Sequence, residues 1–81
     1  MIYSEKGEDP STVYVWTSNP ANGEIYSYVL KGEEEEWIVS SKTRSYQRDH
    51  PRFNEKVELE PESTRAVRKH AREEYGIQLK G

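Results

Sequence analysis

Residues 12–30, TVYVWTSNPANGEIYSYVL, decide the fold of this 81-residue chain. The runs TVYVWT at 12–17 and EIYSYVL at 24–30 are rich in β-branched and aromatic residues, which favour strands. Between them, Asn-Pro at 19–20 and Asn-Gly at 22–23 supply residues that start turns and accept positive φ. The stretch therefore predicts a β-hairpin.

Further strands are expected on both sides of this hairpin. Residues 31–32, Lys-Gly, predict a turn, and WIVSS at 37–41 predicts a third strand. Ile2 and Tyr3 are candidates for an added edge strand, and VEL at 57–59 alternates in the same way. One face of the sheet is expected to pack on a helix, and the other to present apolar side chains to solvent, a partner or a second copy.

The C-terminal part of the chain predicts one helix over residues 62–75. Pro61 suits its first turn, Ser63 or Thr64 suits the N-cap, and Gly76 suits a left-handed residue at its end. Because an α-helix rotates about 100° per residue, the apolar side chains of this segment fall on one stripe of the helix and the basic side chains on another. The helix is therefore expected to be amphipathic.

These elements predict an α+β fold, an antiparallel three- to four-stranded β-meander packed against one C-terminal amphipathic helix. The chain divides into a meander at 1–42, an extended segment at 43–60, a helix at 61–76, and a tail or short strand at 77–81. A chain of 81 residues is expected to form a single small domain.

The amino-acid composition limits the classes of protein to which this chain can belong. Hydrophobic residues make up 32% and charged residues 33%, so the core must be thin, and a homodimer is one way to stabilise it. The chain has no Cys, which excludes disulfides and thiol chemistry and favours a reducing compartment. Without a signal-peptide pattern or a long apolar run, we expect a soluble, cytoplasmic protein that does not enter membranes.

The charge is divided between the two halves of the chain. The net charge is −3, but residues 1–40 carry two Lys against eight Asp or Glu. Residues 41–81 carry ten Lys or Arg against seven Asp or Glu. Local charge governs docking more than the mean does, so binding is expected in the second half.

The basic half contains an alternating pattern. In an extended chain its even positions share one face, and we call this set the basic ladder. Its members are Lys42, Arg44, Tyr46, Arg48, His50 and Arg52. Arginine forks bind carboxylates and phosphates, and a tyrosine ring offers a stacking surface. The alternative is an edge strand whose charges merely prevent aggregation.

The predicted helix adds a second basic surface. Four cations share one flank of the helix, namely Arg65, Arg68, Lys69 and Arg72. The alternative is an ordinary solvated helix face.

No pattern in the sequence indicates catalysis, a metal or a cofactor. The glycines are isolated, so there is no phosphate-binding loop, and no motif joins a serine to a histidine. The acidic run at 33–36 lacks the alternation of a calcium loop, and two histidines without Cys make a poor zinc site.

We therefore predict a non-enzymatic protein-interaction module, of accessory, adaptor or inhibitor type, that docks on an acidic protein surface. Tyrosine, tryptophan and arginine dominate binding hot spots, and the chain is rich in all three. The predicted binding residues are Lys42, Arg44, Tyr46, Arg48, Arg52, Arg65, Arg68 and Arg72. The alternative is a nucleic-acid-binding domain that uses residues 42–52 and the basic helix face, and an enzyme ranks last.

Overall fold

The computed structural model describes residues 1–80 and contains one antiparallel sheet and one helix. The elements are β1 (Ile2–Lys6), β2 (Thr12–Asn19), β3 (Glu24–Glu33), β4 (Glu36–Tyr46), β5 (Val57–Leu59) and α1 (Arg65–Tyr75). The strands lie in the order β1-β2-β3-β4-β5, each antiparallel to its neighbours. The predicted α+β meander with a C-terminal helix is confirmed. It has five strands, because the short candidates at both ends of the meander, β1 and β5, also form.

The β2–β3 hairpin forms where the sequence predicts it. The side chain of Asn19 accepts from the Ala21 N–H at 3.0 Å, and that of Asn22 accepts from the Glu24 N–H at 3.0 Å. Gly23 has a φ of 70°, which a residue with a Cβ adopts only at a cost. Local hydrogen bonds and one glycine thus reverse the chain.

The β3–β4 turn lies later than the predicted position at residues 31–32. The chain reverses at Glu34 and Glu35, whose φ values are 48° and 71°. The strand runs on to this point because Gly32 pairs with Trp37 across the hairpin. A Cβ at Gly32 would lie 2.8 Å from the Trp37 ring, so the glycine makes room for the indole. Glycine here serves packing and not a turn.

A β-bulge in β4 sets which of its side chains face the helix. The register with β3 shifts between Val29 and Leu30, which leaves Ser40 without a direct partner. Because of this extra residue, Val39 and Lys42 point to the same side of the sheet. Without the bulge, strict alternation would place them on opposite sides.

The boundaries after residue 42 differ from the predicted ones. The meander does not end at residue 42, since β4 continues to Tyr46. Of the predicted extended segment 43–60, residues 48–54 form turns and 57–59 form β5, which pairs with β4. The segment is therefore part of the sheet and its connections.

Helix α1 begins at Arg65, later than the predicted start at residue 62. Thr64 has extended backbone angles, and its hydroxyl accepts from the Val67 N–H at 3.4 Å, so it is the N-cap. Gly76 ends the helix with a φ of 66°, as predicted. The cap chemistry was readable in the sequence, but the choice between two neighbouring hydroxyl residues was not.

The core lies entirely between the sheet and the helix. Val13, Val15 and Leu30 are at most 2% exposed and pack with Val67 and Ala71 of α1. The other buried hydrophobic residues on this side are Tyr28, Tyr46, Ile77 and Leu79. Burying these side chains supplies the main driving force for folding.

The C-terminal tail closes one end of this core. Leu79 forms a single parallel bridge with Trp37, and the Lys80 N–H donates to the Trp37 carbonyl at 2.9 Å. The predicted short strand at 77–81 is thus one bridge, and Gly81 lies outside the described residues. Arg68 holds the tail by donating to the Leu79 carbonyl at 3.1 Å.

Candidate interaction surface

The basic ladder is real only in its first half. Lys42, Arg44 and Tyr46 alternate along β4 and point to the helix side of the sheet. The strand ends at Tyr46, so Arg48, His50 and Arg52 do not continue one extended face, contrary to the prediction. The physical reason is local, since turn hydrogen bonds such as His50 N–H to the Gln47 carbonyl at 2.9 Å replace the extended backbone.

Lys42 is an internal residue and not a free cation. It is buried, and its ammonium lies 3.4 Å from a carboxylate oxygen of Glu62. The same ammonium lies 5.7 Å from the ring centres of both Tyr26 and Tyr28, within cation–π range. These contacts tie β4 to the segment before α1 and leave Lys42 little surface to offer a partner.

The turns after β4 bring Arg52 back to Tyr46 by a different route. The His50 ring stacks on the Tyr46 ring with 4.6 Å between centres, and the Arg52 guanidinium lies 5.0 Å from that ring centre. The His50 Nδ1 atom accepts from the Arg52 N–H at 2.9 Å, which fixes the turn. We call Arg44, Tyr46, His50 and Arg52 the basic–aromatic cluster.

Arg44 is the least compensated cation of this cluster. Its guanidinium lies 6.0 Å from the Tyr46 ring centre and, among residues 1–80, forms no ion pair with a carboxylate. Its Nε atom and the Tyr46 hydroxyl are both buried without a hydrogen-bond partner. The nearby Tyr26 and Tyr46 hydroxyls raise the pKa of Arg44 above its usual value.

Tyr26 completes the surroundings of Arg44. Its hydroxyl donates to the Glu24 carboxylate at 2.8 Å. This hydrogen bond, with burial adding to it, raises the pKa of the Tyr26 phenol. Glu24 is thereby engaged by Tyr26 and does not pair with Arg44.

Arg52 already has an acidic partner within its own turn. Its Nε and Nη2 atoms donate to the two carboxylate oxygens of Glu55 at 2.6 and 3.2 Å. This pairing raises the pKa of Arg52 and lowers that of Glu55. The Arg52 guanidinium is therefore held in place next to Tyr46, and Glu55 largely neutralises its charge.

The helix carries the second basic surface, although not with all the predicted residues. Arg65, Lys69 and Arg72 are exposed and form no ion pair in the described part of the chain. Their i, i+4 and i+7 spacing aligns them along the solvent side of α1, and we call them the helix stripe. Arg68 leaves this set because it bonds the tail.

The cluster and the stripe lie toward the same end of the molecule. Thr64 and Ala66, at the start of α1, line one cavity together with Tyr26 and Lys42. Tyr26 is in turn the register partner of Arg44. The first residue of the helix stripe, Arg65, therefore begins next to the strand segment that holds Arg44. Arg48 is exposed in the turn and belongs to neither set.

Three contributors to this surface were missing from the sequence prediction. Glu24, Tyr26 and Glu55 modulate the charges of Arg44 and Arg52, yet they lie outside the ladder pattern. Only the spacing of Arg52 and Glu55, three residues apart, carried a local signal. The pairing of Tyr26 with Arg44 depends on strand register, which the sequence does not display.

A separate polar contact joins β1 to α1 on the helix side of the sheet. The Ser4 hydroxyl lies 2.7 Å from both His70 Nε2 and the Tyr75 hydroxyl. All three side chains are half buried, and no carboxylate of the described residues hydrogen-bonds His70. The contact fastens an edge strand to the helix.

The described residues contain neither a cluster of metal-ligating side chains nor a helix that could cross a membrane. No three His, Asp or Glu side chains gather as a metal site. The single helix within residues 1–80 is too short and too polar to cross a bilayer.

Comparison with known protein families, characterised proteins and solved structures found no match.

Proposed function

We propose that the chain is a small non-enzymatic protein-interaction module that docks on an acidic protein surface through the basic–aromatic cluster and the helix stripe. One observation carries the proposal. The half-buried Arg44 guanidinium lies beside the Tyr46 ring and, among residues 1–80, has no carboxylate partner. Its terminal nitrogens, which are not among the buried atoms, would donate to a partner's carboxylate in a charge-assisted pair.

The surroundings of Arg44 suit a carboxylate ligand. Tyr46 is held by stacking with His50, and the Arg52 fork is held by Glu55, so little side-chain freedom is lost on binding. Arginine and tyrosine are also the residue types that dominate interface hot spots. The helix stripe adds three cations that would steer an acidic partner toward this end of the molecule.

Several cations already have partners within the chain, which favours a protein over nucleic acid as the ligand. Lys42, Arg52 and Arg68 are committed to Glu62, Glu55 and the Leu79 carbonyl. Binding to a phosphate backbone depends on many cations placed along it, each releasing counterions. The cations left for binding form a small group, and the chain as a whole carries a net negative charge, which would repel a phosphate backbone.

A nucleic-acid-binding domain is the second candidate. The observation in its favour is the straight alignment of Arg65, Lys69 and Arg72 along an exposed helix face. Such a helix can follow a phosphate backbone, and binding would then weaken steeply as salt rises.

Affinity capture from the native cell, with and without nuclease, tests these candidates. The wild type is expected to retain the same bound proteins after nuclease treatment. Arg44→Glu is expected to lose them, because it reverses the central charge. Arg48→Glu makes the same charge change in the turn outside both sets and is expected to keep them.

The alternatives have distinct outcomes in the same experiment. Capture that disappears with nuclease supports nucleic acid, and equal loss in Arg44→Glu and Arg48→Glu contradicts a specific role for the cluster. Circular dichroism checks that each variant is folded. Arg65→Glu with Arg72→Glu, on exposed helix positions, provides a second variant should Arg44→Glu fail to fold.

A further inference from the structure

The side of the sheet that faces away from α1 is bare in the described chain, and we call it the open face. Because side chains alternate along a strand, the burial of Val13 and Val15 under the helix turns Tyr14 and Trp16 to this side. No buried hydrophobic residue of the core belongs to it. Half of the sheet surface therefore adds little to the stability of a single copy.

One half of the open face is an aromatic ridge formed by Tyr3, Tyr14 and Trp16. The Tyr3 ring stacks on Trp16 with 4.8 Å between ring centres and 16° between planes. Tyr14 lies 6.1 Å from Trp16 on the other side of that indole along β2. Tyr3 remains 58% exposed despite the stacking, and Tyr14 and Trp16 are half buried, so the ridge keeps part of its aromatic surface in contact with solvent.

The other half of the open face is a trough of small hydroxyl residues, Ser41, Thr43 and Ser45 of β4. The register aligns Trp16 with Ser27 of β3, and Ser27 with Thr43. Side chains along this row thus fall from large to small on crossing β3. Strand β2, which carries Tyr14 and Trp16, and strand β4, which carries the trough, flank β3 at equal spacing, since neighbouring strands lie about 4.8 Å apart.

The centre of the open face, where residues 14–18, 25–29 and 41–45 of β2, β3 and β4 meet, carries no charge, although 33% of the chain is charged. Charged residues stand around this centre: Glu5 of β1 lies beside Tyr14, Lys31 lies at the end of β3, and Glu58 of β5 lies beside Thr43. A phosphate backbone or an acidic peptide would find no row of cations here. The chemistry of the face suits a neutral, partly apolar surface.

We propose that the open face binds a second copy of this chain about a two-fold axis that runs parallel to β3, midway between the two faces. Rotation about that axis lays Tyr14 and Trp16 of each copy against the trough of the other, so the same patch serves both sides of the contact. A contact over β1 to β4 buries on the order of 1,000 Å² in total, the lower range for a specific interface. Tryptophan and tyrosine are the residue types enriched at the centre of such contacts.

This dimer leaves the proposed docking surface accessible. Arg44 and Tyr46 point to the helix side of the sheet, opposite to the open face, and the helix stripe lies on the outer side of α1. Each dimer would present two basic surfaces facing away from the contact. Self-association and capture of an acidic partner can therefore fail or succeed independently.

Sedimentation equilibrium across a wide dilution series tests the proposal. The wild type is expected to approach twice the chain mass of 9.5 kDa and to fall to that mass on dilution. Thr43→Glu places like charges in both troughs, and Tyr3→Glu removes an exposed part of the ridge. Each is expected to raise the dimer dissociation constant about tenfold or more.

Phe53→Glu is the matched control, because Phe53 is 45% exposed and lies outside the open face. It is expected to leave the dissociation constant unchanged. A wild type that stays monomeric throughout, or a dimer that both folded variants keep, overturns the proposal. So does a dimer that Phe53→Glu dissociates. Tyr3→Glu, at an exposed edge position, keeps the test decisive if Thr43→Glu does not fold.

Discussion

At the scale of single residues, the structure separates cations that hold the fold from cations that are free to bind. Lys42 lies against Glu62 and two tyrosine rings, and Arg68 donates to the Leu79 carbonyl. Arg44 has neither a carboxylate nor a partner for its buried Nε atom. Cations of the basic half of the chain therefore have different roles, and only their contacts in the structure distinguish these roles.

The Arg52–Glu55 pair gives a prediction about pH. The pKa of Glu55 is lower in the folded chain than in the unfolded one, mainly because Arg52 bonds its carboxylate. The pair therefore contributes stability above the unfolded pKa of Glu55, and this contribution is lost as pH falls through the folded value. We expect the midpoint of the Glu55 carboxyl in an NMR titration to lie below that of an ordinary glutamate.

Two variants identify the cause of that shift. Arg52→Gln is expected to return the Glu55 midpoint to its ordinary value. Arg48→Gln removes a charge from the same turn without touching Glu55 and is expected to leave the midpoint unchanged. Equal effects of the two substitutions would show that general charge, and not the bonded pair, sets the midpoint.

At the scale of elements, the hairpin turns differ in how well their sequences suit them. The β2–β3 turn places Gly23 at positive φ, but the β3–β4 turn places Glu34 and Glu35 there. Residues with a Cβ occupy this region only with strain, and glycine and asparagine relieve it. The second turn is held by the strands on either side of it, not by its own residues.

The β3–β4 turn can therefore be improved. Glu34→Asn with Glu35→Gly is expected to raise the melting temperature, by about 4–8 °C for each kcal/mol of strain removed. Thermal unfolding followed by circular dichroism measures the change. Glu34→Gln with Glu35→Gln removes the same two charges but keeps the strain, so a similar gain from it would assign the effect to charge repulsion.

At the scale of the whole molecule, stability rests on a core that lies on one side of a single sheet. Leu30 is fully buried under α1, and Val29, its neighbour in the strand, points to the open face. A domain of this size has roughly 3–5 kcal/mol of net stability from its core. One large core side chain is a substantial share of that.

Substitutions at two adjacent positions of β3 test whether the core lies on one side of the sheet only. Leu30→Ala is expected to cost about 2–5 kcal/mol and so to leave little folded protein. Val29→Ala is expected to cost about 1 kcal/mol in urea unfolding, provided the protein is dilute enough to be monomeric. Comparable losses at the two positions would mean that the open face is covered within a single copy.

The local elements of this fold could be predicted from the sequence. The β2–β3 hairpin follows from two β-rich runs around Asn19 and Gly23, and the helix from its periodicity, its hydroxyl N-cap and Gly76. These signals are short-range, because turn and cap residues satisfy backbone groups within a few positions of themselves. They also sufficed for the α+β class.

The binding surface was predictable only in part. Arg44 and Tyr46 were found by alternation along β4, which holds wherever a strand is formed. The ladder beyond Tyr46 was wrong, since turn hydrogen bonds around His50 competed successfully with extended backbone. The alternation of residue types does not show whether a turn or an extended strand is more stable after Tyr46.

The sequence by itself determined the strands, the first hairpin, the helix and the concentration of cations in the second half. The tertiary structure alone decided that Lys42 turns inward to Glu62, that Tyr26 lies beside Arg44, and that one sheet face stays open. These outcomes depend on strand register and on a helix that packs from the far end of the chain. Contacts between residues distant in sequence leave no mark on the periodicity of either segment.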